Sequence, residues 1–316
     1  MRNLKVASMF AGIGGICLGF RQAGYEIVWA NENNHSSCKT YAHNFGNSFL
    51  INCDIQDINA IDLPEFDILT AGFPCQSFSI GGMQKGFNDN RGNMFFEVIR
   101  VATAKSPKVI FMENVENLIC HDNGNTFFVI YNALAALGYA VKYMVMSTFE
   151  YGDLPQARKR IYLLAFLDYR LCDRFIFPEK IPLNMRIEDI VNQEEDKNAI
   201  YYYKKNTQIW QKLYNYIGNS RRLFRIYKGQ VRNTRHPHLC PTLTASMCNE
   251  YNAVVLKDAK GIRRLTLRES LDLQGFPEDF YFPNTISLAD AYKQIGNSVS
   301  VPVVKRIAQK LMEAFN

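Results

Sequence analysis

Short apolar runs recur through the first half of the chain at residues 4–9, 26–30, 67–71, 109–112, 141–146 and 161–166. Each has the length of a strand buried on both faces, and helix-length stretches separate several of them. After the first run come glycines, a helix-like stretch to Ala23, a turn at Gly24 and the second run, which together read as a β-turn-α-β start. This spacing predicts an α/β fold built on a mostly parallel, doubly wound sheet. Past residue 170 the pattern breaks. Pro178 and Pro182 interrupt it, and from Tyr201 the sequence is basic, aromatic and loop-rich with no clear 3.6-residue period, which predicts a second, smaller domain. Helical character returns in 289–315, so the C-terminus is expected to come back to the first domain. The expected boundaries are 1–178, 179–283 and 284–316.

The composition adds size and charge. With 316 residues, 47% hydrophobic and 13% aromatic, the chain can build two packed units and is too apolar to be disordered. No run approaches the roughly 18 apolar residues of a membrane span. The apolar stretch 6–20 is broken by Gly12, Gly14, Gly15 and Gly19 and followed by Arg21 and Gln22 instead of a cleavage site, so it reads as mature structure of an intracellular protein. Eight scattered cysteines without a C-x-x-C pair predict free thiols. The formal charge of +6 is unevenly placed: residues 201–249 hold nine Lys or Arg and no Asp or Glu, leaving −3 on the rest, the difference between +6 and +9.

Four constellations carry candidate chemistry. Phe10-Ala11-Gly12-Ile13-Gly14-Gly15 lies between the first strand and helix, where glycines let the backbone approach a ligand and the helix N-terminus offers N–H groups. Glu32, about 20 positions on, suits ribose hydroxyls. Cys17 occupies the place of the third glycine in G-x-G-x-x-G, so a nucleoside ligand other than a dinucleotide is favoured, and a nicotinamide-dependent oxidoreductase would leave the other motifs unexplained. Gly72-Phe73-Pro74-Cys75-Gln76 follows the third run, where the strand ends of an open sheet place ligands, and a glycine-rich stretch able to close over a substrate comes next. Glu113-Asn114-Val115 ends another run and brings a carboxyl that can share or donate a proton. Arg158 and Arg160, at alternate positions before the last run, would face one way in extended backbone and could hold a carbonyl oxygen or a phosphate.

In this order the four pieces resemble the DNA (cytosine-5)-methyltransferase family of the bacterial restriction-modification type. The likeness continues in Arg263-Arg264-Leu265-Thr266, Arg268-Glu269, Gln274-Gly275-Phe276-Pro277 and Gln294-Ile295-Gly296-Asn297-Ser298-Val299, leaving out roughly 175–260. It implies an S-adenosylmethionine-dependent methyltransferase fold with a catalytic domain, a target-recognition domain and a returning C-terminal segment. It implies Cys75 as nucleophile, Glu113 at ring nitrogen 3 of cytosine, Arg160 on the carbonyl oxygen and Arg158 supporting the loop or a phosphate. S-adenosylmethionine would be lined by Phe10 to Gly15, Glu32, Asp54, Ile55, Pro74, Met94, Asn297 and Val299, with Phe10 and Ile55 as apolar contacts, Glu32 on the ribose and Asp54 on the adenine amino group. The chain departs from the family at Asn33, where an aromatic residue often follows the ribose acid.

The basic, tyrosine-rich segment is then expected to contact double-stranded DNA through Arg221, Arg222, Arg225, Arg232 and Arg235, joined by Gln76, Thr242 and Thr244. His236, His238, Cys240 and Cys248 match no common ligand spacing, so no metal is expected. A monomer in the bacterial cytoplasm, associated with the nucleoid and serving beside a separate restriction endonuclease, completes the expectation. Two rivals share the scaffold. The tRNA-methylating branch carries a Cys-Phe-Thr signature absent here, and a non-catalytic DNA-binding homologue would not need intact Pro74-Cys75-Gln76 and Glu113-Asn114-Val115.

Overall fold

A computed structural model describes residues 4–73, 94–232 and 236–316. Pro74, Cys75, Gln76 and Arg235 lie outside the described residues. Two compact units interleave along the chain: one comprises 1–146, 159–179 and 303–316, the other 147–158 and 180–302.

The first unit carries β1 (Lys5–Met9), β2 (Glu26–Asn31), β3 (Leu50–Ile51), β4 (Ile68–Ala71), β5 (Val109–Val115) and β6 (Ala140–Ser147). The second contributes β7 (Gln156–Ala157), and the chain returns to the first as β8 (Lys159–Phe166). The sheet order is β3-β2-β1-β4-β5-β8-β6; the first five are parallel and β8 runs antiparallel to β5. All six apolar runs became strands, for the reason they were visible: β4 and the start of β5 are buried throughout, so each needs apolar residues on both faces.

Helices α1 (Gly15–Gln22), α2 (His35–Phe45), α3 (Met94–Lys105) and α4 (Asn125–Ala136) connect the strands. Strand order reverses between β1 and β4, and in open α/β sheets that reversal opens a crevice at the carboxyl ends of the strands. Phe20 of α1 locks the layer beneath, meeting the rings of Tyr25 and Phe111 edge-on at 5.1 and 5.2 Å.

The second unit is organised differently. Beyond the short helices α5 (Thr148–Tyr151), α6 (Tyr169–Arg174, in the first unit) and α7 (Ile187–Ile190) comes α8 (Gln208–Ile217). Strands β9 (Phe224–Tyr227), β10 (Gln230–Arg232), β12 (Val254–Lys257) and β13 (Ile262–Arg264) form an antiparallel sheet, while β11 (Cys240–Pro241) pairs with β7. Helix α8 corrects the expectation of loop-rich sequence. Thr207 caps its start, accepting from the Trp210 N–H at 3.3 Å, and Ile209, Leu213 and Ile217 bury one stripe against Ile226, Val255 and Ile262.

After α9 (Leu267–Asp272), the helices α10 (Leu288–Asn297) and α11 (Val301–Phe315) end the chain. The return to the first unit begins at Val303, later than the expected 284. There the Tyr25 hydroxyl donates to the Ala308 carbonyl at 3.0 Å, and Gly19 leaves just enough room for Val304. Residues 284–302 stay with the second unit because α10 packs backbone to backbone there. A Cβ on Gly296 would fall on the Thr244 carbonyl carbon and the Ala245 nitrogen. Among the described residues no helix is long and apolar enough to cross a membrane.

Candidate active site

The parallel register aligns the candidate chemistry along one edge of the first unit's sheet. Met9 pairs with Ala71, and Ala71 with Met112, so the residues that follow them, Phe10, Gly72-Phe73 and Glu113, emerge side by side. Adjacent strands lie about 4.8 Å apart, which puts the glycine loop and Glu113 roughly 10 Å apart on either side of the Phe73 segment.

The glycine loop is held in an unusual shape. Phe10, Gly12 and Gly14 all have positive φ, at 55°, 56° and 88°. Gly12 tolerates this for lack of a Cβ, whereas an aromatic residue there is strained, and such strain collects at ligand sites. Gly14 and Gly15 are buried, and a Cβ on Gly14 would strike the Phe45 ring, but a Cβ on Gly12 would meet nothing within 4 Å. The Gly12 backbone therefore faces open space.

Glu32 braces the loop: one carboxylate oxygen accepts from the Gly12 N–H at 2.9 Å and the other from the Asn34 N–H at 2.7 Å. A carboxylate has about four acceptor positions, so capacity remains for two hydroxyls. Asp54 caps the turn Ile55–Asp57 by accepting from the Gln56 N–H at 3.0 Å. Ile55 differs from expectation. It is 2% exposed and packed in the core, so it anchors this turn and offers a ligand little surface. Met94 is half-buried on the same core.

Glu113, 8% exposed, forms an ion pair with Arg160, Nε to Oε1 at 3.2 Å. A guanidinium beside a buried carboxyl keeps a charged donor and a proton-sharing group together at the strand end. The neighbouring Asn114 does separate work that the motif did not reveal. Its side-chain amide donates to the Phe73 carbonyl at 2.9 Å, fixing the backbone immediately before Pro74. Arg100 was missed as well. It donates to the carbonyls of Ile55 and Ile58 at 2.8 and 3.0 Å and so holds the Asp54 turn; no sequence pattern points to a single helix arginine in this role.

Arg158 does not share a target with Arg160. It is 3% exposed in the second unit, where its guanidinium donates to the carbonyls of Leu243 (2.8 Å), Gly296 (3.4 Å) and Ser298. These contacts satisfy the carboxyl end of α10, where helix carbonyls lack partners. Gln156 acts alongside, donating to the Leu273 carbonyl at 2.8 Å and accepting from the Leu243 N–H at 3.2 Å. Asn297 and Val299 flank this junction in the second unit.

The expected DNA contacts divide. Arg225 donates to the Thr242 carbonyl at 2.6 Å and the Thr244 hydroxyl at 2.8 Å, and burial pulls its guanidinium below its usual range. The Thr242 hydroxyl donates to the Ala157 carbonyl at 2.6 Å. These three therefore form an internal strut. Arg222 and Arg232 are exposed, and exposed Arg221 pairs with Glu194 at 2.7 Å, a surface ion pair of little strength.

The sequence pattern described as C-5 cytosine-specific DNA methylase matches residues 4–313. The chain belongs to this family. This DNA methylase is 44% identical to Type II methyltransferase M.Bsp6I of Bacillus sp. (strain RFL6), with 99% of each chain covered. It is 34% identical to Type II methyltransferase M.HhaI of Haemophilus parahaemolyticus, over all of this chain and 96% of the other. The fold is similar to the S. pombe Dnmt2 methyltransferase, with a TM-score of 0.75, 22% identity and full coverage of both chains. The methylase is thus an enzyme of DNA methylation at carbon 5 of cytosine, with a seven-stranded methyltransferase sheet.

Proposed function

We propose that this methylase uses S-adenosylmethionine and a covalent Cys75 adduct to methylate a cytosine extruded from a specific duplex sequence. The observation that carries the reading is the single sheet edge on which the glycine loop, the Phe73 segment leading to Cys75, and the Glu113–Arg160 pair follow one another by register.

The residues present fit the cofactor. Gly12 leaves open space over its backbone, the first turn of α1 carries no acidic residue, and Glu32 keeps acceptor positions for a ribose. Phe10 to Gly15, Glu32, Asp54 and Met94 would hold it, with Pro74, Asn297 and Val299 assigned from the resemblance. S-adenosylmethionine supplies an electrophilic methyl group when bound.

Carbon 5 of cytosine is a weak nucleophile, and the chain's own groups change that. The Cys75 thiolate adds to carbon 6, and the displaced π electrons become an enamine centred on carbon 5. Glu113 shares a proton with ring nitrogen 3, and Arg160 donates to the carbonyl oxygen, so charge does not accumulate on the ring. Once carbon 5 carries the methyl group, a base takes its proton, and that C–H electron pair reforms the ring double bond as the Cys75 thiolate leaves. Because a stacked base cannot be reached this way, the cytosine must leave the helix, at a cost of about a few kcal/mol. The protein is read as a monomer of the bacterial cytoplasm acting beside a separate endonuclease, in keeping with the Type II names of its relatives.

Duplex carrying 5-fluorocytosine at the target tests the covalent route, since fluorine cannot leave as a proton does. A denaturant-resistant complex should form, with the label on the Cys75 peptide. Normal methylation of ordinary duplex without any adduct would refute the route. Glu113→Gln keeps the shape of the side chain and removes the shared proton, so kcat is expected to fall by about 10²- to 10⁴-fold with a smaller change in KM. Steady-state methyl transfer measures the split.

A further inference from the structure

The second unit contains an open cleft of about 820 Å³ between the start of α8 and the β9–β10 hairpin. Lys204, Lys212 and Lys228 reach it from three different elements, and Tyr202 and Tyr251 contribute aromatic walls. We propose that this cleft grips DNA phosphates without reading bases. The proposal rests on duplex DNA being the substrate.

Each lysine stem is placed by a fixed scaffold. Residue 204 follows Tyr203, whose N–H donates to the Ile262 carbonyl at 2.9 Å and whose hydroxyl donates to the Glu250 carbonyl at 2.7 Å. Lys212 stands one turn along from Gln208, exposed on the flank of the buried Ile209, Leu213 and Ile217 stripe. Lys228 occupies the hairpin tip at φ 50°, with Gly229 at φ 70°, and its N–H donates to the Asn252 side chain at 2.9 Å.

Among the described residues none of the three is in an ion pair, in contrast to Arg221 with Glu194, and Glu250 is the single carboxylate lining the cleft. The Tyr202 hydroxyl is already engaged with Asp258 at 2.8 Å and the Tyr203 hydroxyl with the Glu250 carbonyl, while Lys228 Nζ lies 5.6 Å over the Tyr227 ring, a contact that leaves its charge intact. Lysine is a flexible point charge, suited to phosphate and poorly suited to the bidentate recognition of a base edge. Three lysines against one carboxylate leave the cleft net positive, which fits a phosphodiester backbone better than a neutral or cationic ligand.

The test measures binding of the full chain to cognate and scrambled duplexes across a salt series. Combined Lys204→Gln, Lys212→Gln and Lys228→Gln should weaken both duplexes alike and lower the slope of log affinity against log salt by about 2.7, from about 0.9 per phosphate contact. A charge-matched variant in the first unit, Lys39→Gln with Lys105→Gln and Lys310→Gln, should keep a steeper slope than the cleft variant. An unchanged slope in the cleft variant, with steep wild-type dependence, would overturn the cleft alone, as would an equal fall in the charge-matched variant. A wild-type protein that binds neither duplex would bring down the DNA reading itself. Steeper salt dependence on duplex RNA would give the cleft to RNA and overturn the proposal.

Discussion

Cys75→Ser is expected to abolish methyl transfer, lowering kcat by about 10⁴-fold or more, while cognate duplex is still bound with near wild-type affinity. A thiol is partly ionised near neutral pH and its anion is a strong nucleophile, whereas a serine hydroxyl holds its proton and lacks that reactivity. Four of the described cysteines are poorly suited to substitute. Burial pushes the thiols of Cys17, Cys172 and Cys240 up, and burial together with the Glu32 charge pushes Cys38 up to about 12, so each stays protonated. Radiolabelled methyl incorporation into duplex, paired with a gel-shift titration, measures both halves. Turnover above about a tenth of wild type in the serine variant would remove Cys75 as the nucleophile. Loss of binding together with turnover would indicate damage to the fold.

What the sequence made legible follows from how each feature is encoded. Strands such as Ile68–Ala71 and Val109–Val115 are read directly because burial on both faces demands unbroken apolar residues. The glycine loop was legible for a related reason, since Gly12 and Gly14 answer to backbone geometry within the loop itself. Helix α8 was hidden because Trp210, Tyr214 and Tyr216 fall among Ile209, Leu213 and Ile217 and blur the stripe that the core sees.

Side-chain partners were hidden where they lie far along the chain. Arg158 and Arg225 look like anion binders in sequence, yet their guanidinium groups satisfy carbonyls 85 and 17 residues away. Asn114 sits inside a noticed motif, but its bond to the Phe73 carbonyl spans 41 residues and leaves no local trace. A charge or an amide specifies what it can bind; only the fold decides what stands in front of it.

The same reasoning gives the motif around Arg263 a role that its sequence left blank. Arg263→Met is expected to destabilise the second unit by about 3–5 kcal/mol, the usual consequence of stranding buried charge, and to lower its melting midpoint by about 10 °C or more. The guanidinium is 0% exposed, donating to both oxygens of Glu269 at 2.8 Å and to Asp258 at 2.7 Å. Glu269 also accepts from the Thr266 N–H at 2.7 Å, completing the capping box of α9, and Asp258 accepts from Tyr202 at 2.8 Å. Removing the arginine therefore leaves two carboxylates in a site closed to water and loosens a helix cap and a strand end at once. Arg263→Lys keeps the charge without the planar fork and should fall between the two. Calorimetry on the single variant and on Arg263→Met with Asp258→Asn and Glu269→Gln separates the causes: neutralising all three should recover most of the lost stability. A single variant that melts within about 2 °C of wild type would mean that this cluster is not what holds the unit together.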